Sequence, residues 1–290
     1  MKYGIHYAYW LQHWEADLKK YCRKAAELGF DLLEISGNAL LTASESELKD
    51  LKKLADGLGV QINPCHGMSK DSDTGSSDPA ARQKGIDTAK RLFDRMELIG
   101  SRQIGGILYS YWPALEASNA EIDISKAREY SLESMAVIAD EARKHGILLT
   151  LEIVNRFENF LFNDTKTALK YLDDLGRDNV KLLLDAFHMN IEEDYLGEAI
   201  RLAGDRLGHF HIGECNRKVP GNGHMPWDDI AAGLRDIGYQ GGVVMEPFVR
   251  SGGEVADSVK VWRDLVEPTE SRLDADLKAA LAFVKAKFEG

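Results

Sequence analysis

Two kinds of apolar pattern alternate along the chain. Short apolar runs bounded by polar turns mark strands covered on both faces, and longer stretches with apolar positions three or four apart mark amphipathic helices. Val180, Leu182, Leu183 and Leu184 form a run of the first kind, which ends abruptly at Asp185. Leu48, Leu51, Leu54, Ala55 and Leu58 show the second spacing, behind a capping box of Ser44 and Glu47. Read this way, the chain predicts strands over 3–9, 30–36, 60–65, 102–108, 147–154, 180–184, 207–212 and 242–246. The helices fall between and after them, over 17–28, 44–58, 80–99, 126–145, 165–175, 195–203, 227–237, 258–266 and 271–288. Gly29 and Gly146 stop two of these helices, and Asp164 opens another.

Strands that alternate with helices build a parallel sheet. Eight such units in 290 residues suit closure into a (β/α)8 TIM barrel. No composition break divides the chain, so residues 1–290 are expected to form a single α/β barrel domain with closing C-terminal helices over about 258–288. An open, doubly wound sheet is disfavoured, because no GxGxxG turn occurs anywhere. The polar segment 67–78 reads as a loop over a site rather than a linker, since both its neighbours are regular.

Composition narrows the partners. Hydrophobic residues make up 44%, and no apolar run is long enough to span a membrane. The first residues lack the apolar core of a signal peptide. The three cysteines show no paired or metal-binding spacing, so a reduced, cytoplasmic protein is expected. A net charge of −11 argues against a nucleic-acid backbone as partner. It also argues against a DNA-directed metal phosphodiesterase on a similar barrel.

Candidate chemistry lies at strand ends. The last four predicted strands carry Glu152, Asp185, the pair His209 and His211, and Glu246 at or near their C-terminal ends. In a parallel barrel those ends converge on one face. Three carboxylates cannot gather there ionised without a cation. The set suits a divalent ion such as Mn²⁺, Mg²⁺, Co²⁺ or Zn²⁺, and the absence of thiolate favours a hard, oxygen-preferring one. His211 lies nearer the strand end than His209 and is the preferred ligand.

Polar residues follow these strands: Arg156, Glu158, His188, Glu214, Asn216, Arg217 and Lys218. Aromatic residues near other strand ends (Tyr7, Tyr9, Trp10, Trp14, Tyr109, Trp112, Phe248) offer apolar walls. A sugar has matching polar edges and apolar faces. An ion that binds two neighbouring oxygens of a hydroxy-ketone acidifies the C–H between them, and Glu152 and Glu246 form the natural opposed pair for proton exchange. At this level, epimerisation and aldose–ketose isomerisation both remain open.

The stretches IGGILYSYWP (104–113), LEIVNRFENFLFN (151–163), VKLLLDAFHMNIEED (180–194), LGHFHIGECNRKVPGNGHMPW (207–227) and VVMEPFVRSGG (243–253) resemble the ketose 3-epimerase family of D-tagatose and D-psicose (D-allulose) 3-epimerases. The resemblance implies that Glu152, Asp185, His211 and Glu246 hold Mn²⁺ or Co²⁺, and that Glu152 and Glu246 exchange the proton at carbon 3 of a free ketohexose through a cis-enediolate. It implies that Glu158, His188 and Arg217 bind the oxygens at carbons 1 to 3, and that His6, Trp14, Gly67, Ile107, Trp112 and Phe248 shape the pocket for the other carbons. A homodimer or homotetramer is implied as well. Two positions depart from the family pattern: His6 stands where tyrosine is usual, and Ile107 where a smaller alanine is usual. Both bear on which ketose is preferred.

Overall fold

The computed structural model describes every residue of the chain except Asn119. Eight parallel strands form a closed barrel in sequence order. They are β1 (Lys2–His6), β2 (Leu32–Ser36), β3 (Gln61–Cys65), β4 (Gln103–Gly106), β5 (Leu148–Ile153), β6 (Val180–Asp185), β7 (Leu207–Ile212) and β8 (Gly242–Met245). Closure is made by β8 pairing with β1, where Lys2 stands opposite Gly242 and Ile5 opposite Met245. Helices cover the outside of the barrel, and most of the apolar core lies between the two layers.

Local chemistry explains most of the boundaries. The carboxylate of Asp17 caps Leu18–Leu28, which ends on Gly29 with φ 88°. Ser44 and Glu47 close the expected capping box at the start of Glu45–Leu58. Asp164 caps Thr165–Leu175. No helix among the described residues is long and apolar enough to cross a membrane.

Three expectations need correction. The first strand stops at His6, because the His6 ring accepts the Ala8 N–H and turns Tyr7–Trp10 into a 3₁₀ segment. Two short helices, Gly37–Thr42 and Ala186–Glu192, begin directly at strand ends where only turns were expected. Each is capped by the last residue of its strand, Ser36 or Asp185. The helix expected over 258–266 lies earlier, at Gly253–Val259. Lys260 adopts a left-handed conformation and Val261 N–H bonds back to Ala256, which ends it and leaves Trp262 exposed.

The inside of the barrel has two characters. Leu32, Leu183 and Val244 form an apolar plug, and it fits because glycines face it. A Cβ on Gly4 would lie 2.9 Å from both Leu32 and Val244, and one on Gly105 would lie 2.8 Å from Leu183. The other inward positions are polar and buried: Glu34, Glu152, Asp185, His209 and His211. The segment 67–78 is tied down rather than loose. Met68 exchanges backbone bonds with Ile107 and Trp112, and the Thr74 hydroxyl donates to Leu108 O at 2.9 Å.

One glycine carries this junction. Gly106 has φ 110°, and a Cβ there would sit 2.4 Å from the carbonyl oxygen of His66. Gly106→Ala is therefore expected to lower the unfolding free energy by at least about 2 kcal/mol, the scale of a strained backbone plus a steric clash. Gly57→Ala, at an unobstructed helical position, should be neutral or stabilising by about 0.5–1 kcal/mol. Urea unfolding of both variants checks the contrast. Equal stability of the two would show that the β3–β4 junction is not under steric constraint.

Candidate active site

The cluster at the barrel mouth is assembled by strand register. Asp185 on β6 stands beside His211 on β7, while Glu152 is the next-to-last residue of β5 and Glu246 directly follows β8. Each offers one ligand atom, and the four atoms lie within 4.8 Å of one another. His211 Nδ1 is 3.5 Å from Glu246 Oε2 and 3.9 Å from Glu152 Oε1. Asp185 has two tasks. Its Oδ1 accepts the Phe187 N–H at 2.8 Å, which starts Ala186–Glu192 and fixes the side chain. Its Oδ2 is buried with no partner, as is His211 Nδ1. Orphaned buried acceptors of this kind are costly unless something fills the space between them. Three carboxylates and an imidazole nitrogen fit a divalent ion by donor type.

The charges in the cluster are unequal. Burial pushes the Glu152 carboxyl well above the usual range, and the Glu246 charge adds to this. Burial acts the same way on Glu246, but the neighbouring His211 overrides it and holds the group at about 2. For His211, burial disfavours the charge, yet Glu34 and Glu246 raise its proton affinity well above the ordinary value. Without a metal, protons on Glu152 and His211 relieve the repulsion. An ion would take over part of that task, displacing the proton from His211 Nδ1.

A hydrogen-bonded group flanks the cluster. Glu158 Oε2 accepts from Trp112 Nε1 at 2.8 Å, and its Oε1 accepts from Asn155 Nδ2 at 3.0 Å and from Arg217 at 3.3 Å. The Arg217 guanidinium lies 3.5 Å over the Phe187 ring. Burial works against the Glu158 charge, and His188 and Arg217 together win, keeping its pKa below the usual value. His188 Nδ1 accepts the Asn155 backbone N–H at 3.2 Å. Its Nε2 thus carries the proton and faces Asp185 at 3.7 Å and Glu152 at 3.9 Å.

A cleft opens above these groups. Glu152, Glu158, His188, Arg217 and Glu246 line one side, while His6, Trp14, Gly67, Ile107, Trp112 and Phe248 supply aromatic and apolar wall. Asp185 and His211 lie buried beneath. The thirteen residues that the family resemblance implies therefore meet in one place. His6 packs against Trp14 and Phe248 with ring centroids 6.2 Å apart, and burial lowers its pKa. Trp112 fills the space left by Gly67, where a Cβ would be 3.1 Å from its ring.

Other expected neighbours stand elsewhere. Arg156 is exposed and pairs with Glu192. Glu214 points away into its own loop, accepting from Gly221, Met225 and Trp227, and so shapes that loop rather than the cleft. Asn216 and Lys218 lie outside the cleft wall. Tyr7, Tyr9, Trp10 and Tyr109 are core packing. In the other direction, Ser36, Asn38, Cys65, His66 and Ser69 line the cleft unforeseen. They follow β2 and β3, and the rule that flagged Asp185 on β6, a polar residue ending a buried strand, applies to them equally. Glu34, inside β2, was missed because a single acid in an apolar strand carries no local signal.

The architecture and the acidic mouth define a class first. Residues 22–271 match the family described as xylose isomerase-like TIM barrel. A D-psicose 3-epimerase of Ruminiclostridium cellulolyticum is 46% identical over 290 residues, covering 100% of this chain and 98% of its own. A crystal structure of D-psicose 3-epimerase with D-tagatose from Clostridium cellulolyticum superposes with a TM-score of 0.96 at 46% identity, covering 99% of both chains. Another, of D-psicose 3-epimerase in the presence of D-fructose, gives 0.97 at 42% identity over the full length of both. The chain belongs to the ketose 3-epimerase family that contains the D-psicose 3-epimerases, and it is an isomerase-class enzyme acting on sugars.

The neutral His66 generates a pH prediction. Burial lowers its pKa from 6.5 to about 4. The unfolded chain then binds a proton that the folded chain refuses, so stability is full above pH 6.5 and falls as the pH drops from there towards 4. Each pH unit fully inside that window costs about 1.4 kcal/mol. His66→Asn should remove this share of the acid loss. Urea unfolding at several pH values checks it, and identical slopes in the two proteins would contradict the assignment.

Proposed function

We propose that this enzyme epimerises free ketohexoses at carbon 3 with a divalent ion, interconverting D-fructose with D-allulose and D-tagatose with D-sorbose. The observation that carries the reading is the pairing of Glu152 and Glu246. Glu152 is buried and Glu246 half-buried, and both place a carboxyl oxygen in the one cluster at the barrel mouth. Two carboxyl groups so placed can take a proton from one carbon and return one to it. The ionised Glu246 takes the proton from carbon 3 on one face, and the protonated Glu152 returns one on the other. In the reverse direction the roles exchange. A bound Mn²⁺, Co²⁺ or Mg²⁺, held by Glu152, Asp185, His211 and Glu246, supplies Lewis-acid stabilisation of the negative charge that develops on the sugar oxygens.

The flanking residues hold the reacting end. His188 Nε2–H and Arg217 donate to oxygens of carbons 1 to 3, and Glu158, itself fixed by Trp112 and Asn155, accepts from a hydroxyl. Trp14, Trp112 and Phe248 cover the carbon chain and keep water from the exposed carbanion-like centre. His6 and Ile107 meet the distal carbons, with Gly67 leaving room for Trp112. Ile107 takes up space at that end, which favours a second reading within the same class: a preference for shorter or L-configured ketoses such as ketopentoses. A cytoplasmic homodimer or homotetramer belongs to the same proposal.

Incubation with D-fructose and Mn²⁺, with and without chelator, is the direct test. D-allulose should form only with the metal, and conversion solely to aldoses would sink the epimerase reading in favour of isomerisation. Glu152→Gln and Glu246→Gln should each lower kcat by at least about 10²–10⁴, while Glu158→Gln acts mainly through KM. His6→Tyr should change the ratio of activities on D-fructose and D-tagatose more than it changes metal affinity. Equal changes on both sugars would count against a role of His6 in sugar choice.

A further inference from the structure

The reading above leaves one buried carboxylate unused. Glu34 sits inside the barrel on β2, 1% exposed, across from the strands that carry the cluster. Its Oε2 lies 2.7 Å from His211 Nε2, and its Oε1 accepts from His209 Nε2 at 3.1 Å. His211 is thus held between two sets of carboxylates. Its Nε2 faces Glu34, and its Nδ1 faces Glu246 and Glu152 on the other edge of the ring. A carboxylate buried this deeply costs several kcal/mol unless it is paired, and the two histidines are the partners that the structure gives it.

We propose that Glu34 is the positioning residue of the metal centre. It keeps the proton on His211 Nε2, so that Nδ1 presents its lone pair to the ion, and it fixes the plane of the ring. His209 braces Glu34 in turn. This inference rests on the metal reading of the four-residue cluster. Glu34, His209 and His211 could themselves gather round an ion, and the count of bound ions in the titration below separates that case. Glu34 Oε2 and His211 Nε2 are in direct ion-pair contact at 2.7 Å, although neither atom makes a hydrogen bond of good geometry. The negative charge of Glu34 also makes the imidazole a stronger donor, the usual effect of a carboxylate behind a ligating histidine.

The test begins with the full-length protein stripped of metal. Titration of the wild type with Mn²⁺, followed by the electron paramagnetic resonance of the free ion, should give one ion per chain. No binding at all would defeat the metal reading itself. Glu34→Gln keeps the size of the side chain and removes its charge. It should weaken Mn²⁺ affinity on the order of ten- to a hundredfold. At saturating Mn²⁺ its KM for D-fructose should stay within about twofold, since outer carboxylates act on the ligand rather than the sugar. In a His211→Ala background the same substitution should weaken binding no further. Unchanged affinity in Glu34→Gln would overturn the proposal, and so would two ions per chain with one lost in the variant. If Glu34→Gln does not fold, the wild type decides. The ¹⁵N spectrum of the Mg²⁺-loaded protein should show His211 protonated at Nε2, and a proton at Nδ1 would overturn the assignment.

Discussion

Repulsion among buried acids is the constraint that the rest of this molecule answers. Glu34, Glu152 and Asp185 are buried, and Glu246 is only partly exposed, all within the barrel mouth. Two like charges about 4 Å apart cost roughly 4 kcal/mol even with generous screening. The chain meets that cost in layers. His209 and His211 balance Glu34 from below. Burial works against the Glu158 charge, but its neighbours His188 and Arg217 and its hydrogen bonds from Trp112 and Asn155 bring its pKa below the usual value. The centre is left with a surplus that protons on Glu152 and His211 cover in the metal-free state. The cluster is costly to keep without a counter-charge, and a divalent ion would supply one.

The barrel is what makes such crowding tolerable. An acid at the end of a free strand would simply turn to water. Here each ligand is fixed by a structure that exists for other reasons. The lower barrel is filled by Leu32, Leu183 and Val244 against glycines, so the acids above cannot sink inward. Asp185 cannot swing away because its other oxygen caps a helix. Trp112 and Asn155 lock Glu158, and Phe187 and Phe248 hold the Arg217 guanidinium flat. Fold stability and site geometry share the same bonds.

Much of this was legible from residue order alone, and the boundary of legibility has physical causes. The eight strands and the barrel followed from alternating periods, because strands buried on both faces leave near-continuous apolar runs. The four cluster residues followed from polar side chains ending such runs. What escaped was of two kinds. The helix at Ala186–Glu192 hid because Asp185 looked like a turn former when it was also an N-cap. Glu34 hid because its partners, His209 and His211, lie some 175 residues away, and only barrel closure brings β2 within reach of β7 through the interior. Glu214 shows the opposite error. It has the right residue type beside the right strand, yet its hydrogen bonds go to Gly221, Met225 and Trp227, so proximity in sequence said nothing about where the side chain points.

The division of the mouth into two walls carries a last consequence. The groups proposed to move protons and hold oxygens come from β5 to β8 and the loops after them. The side chains proposed to meet the rest of the sugar come mainly from β1 to β4, with Phe248 as the bridge. Substitutions on the second wall therefore act on sugar choice without disturbing the charge balance of the first. His6 illustrates the rule. Its Nδ1 is occupied by the Ala8 N–H, and burial disfavours a charge on the ring, so it brings a directional donor but no net charge to the aromatic part of the wall beside Trp14 and Phe248. A neutral residue is what that position can accept, because a cation there would compete with the ion for the same carboxylates. The departure from tyrosine thus alters the polarity of the distal end while leaving the electrostatics of the reaction in place.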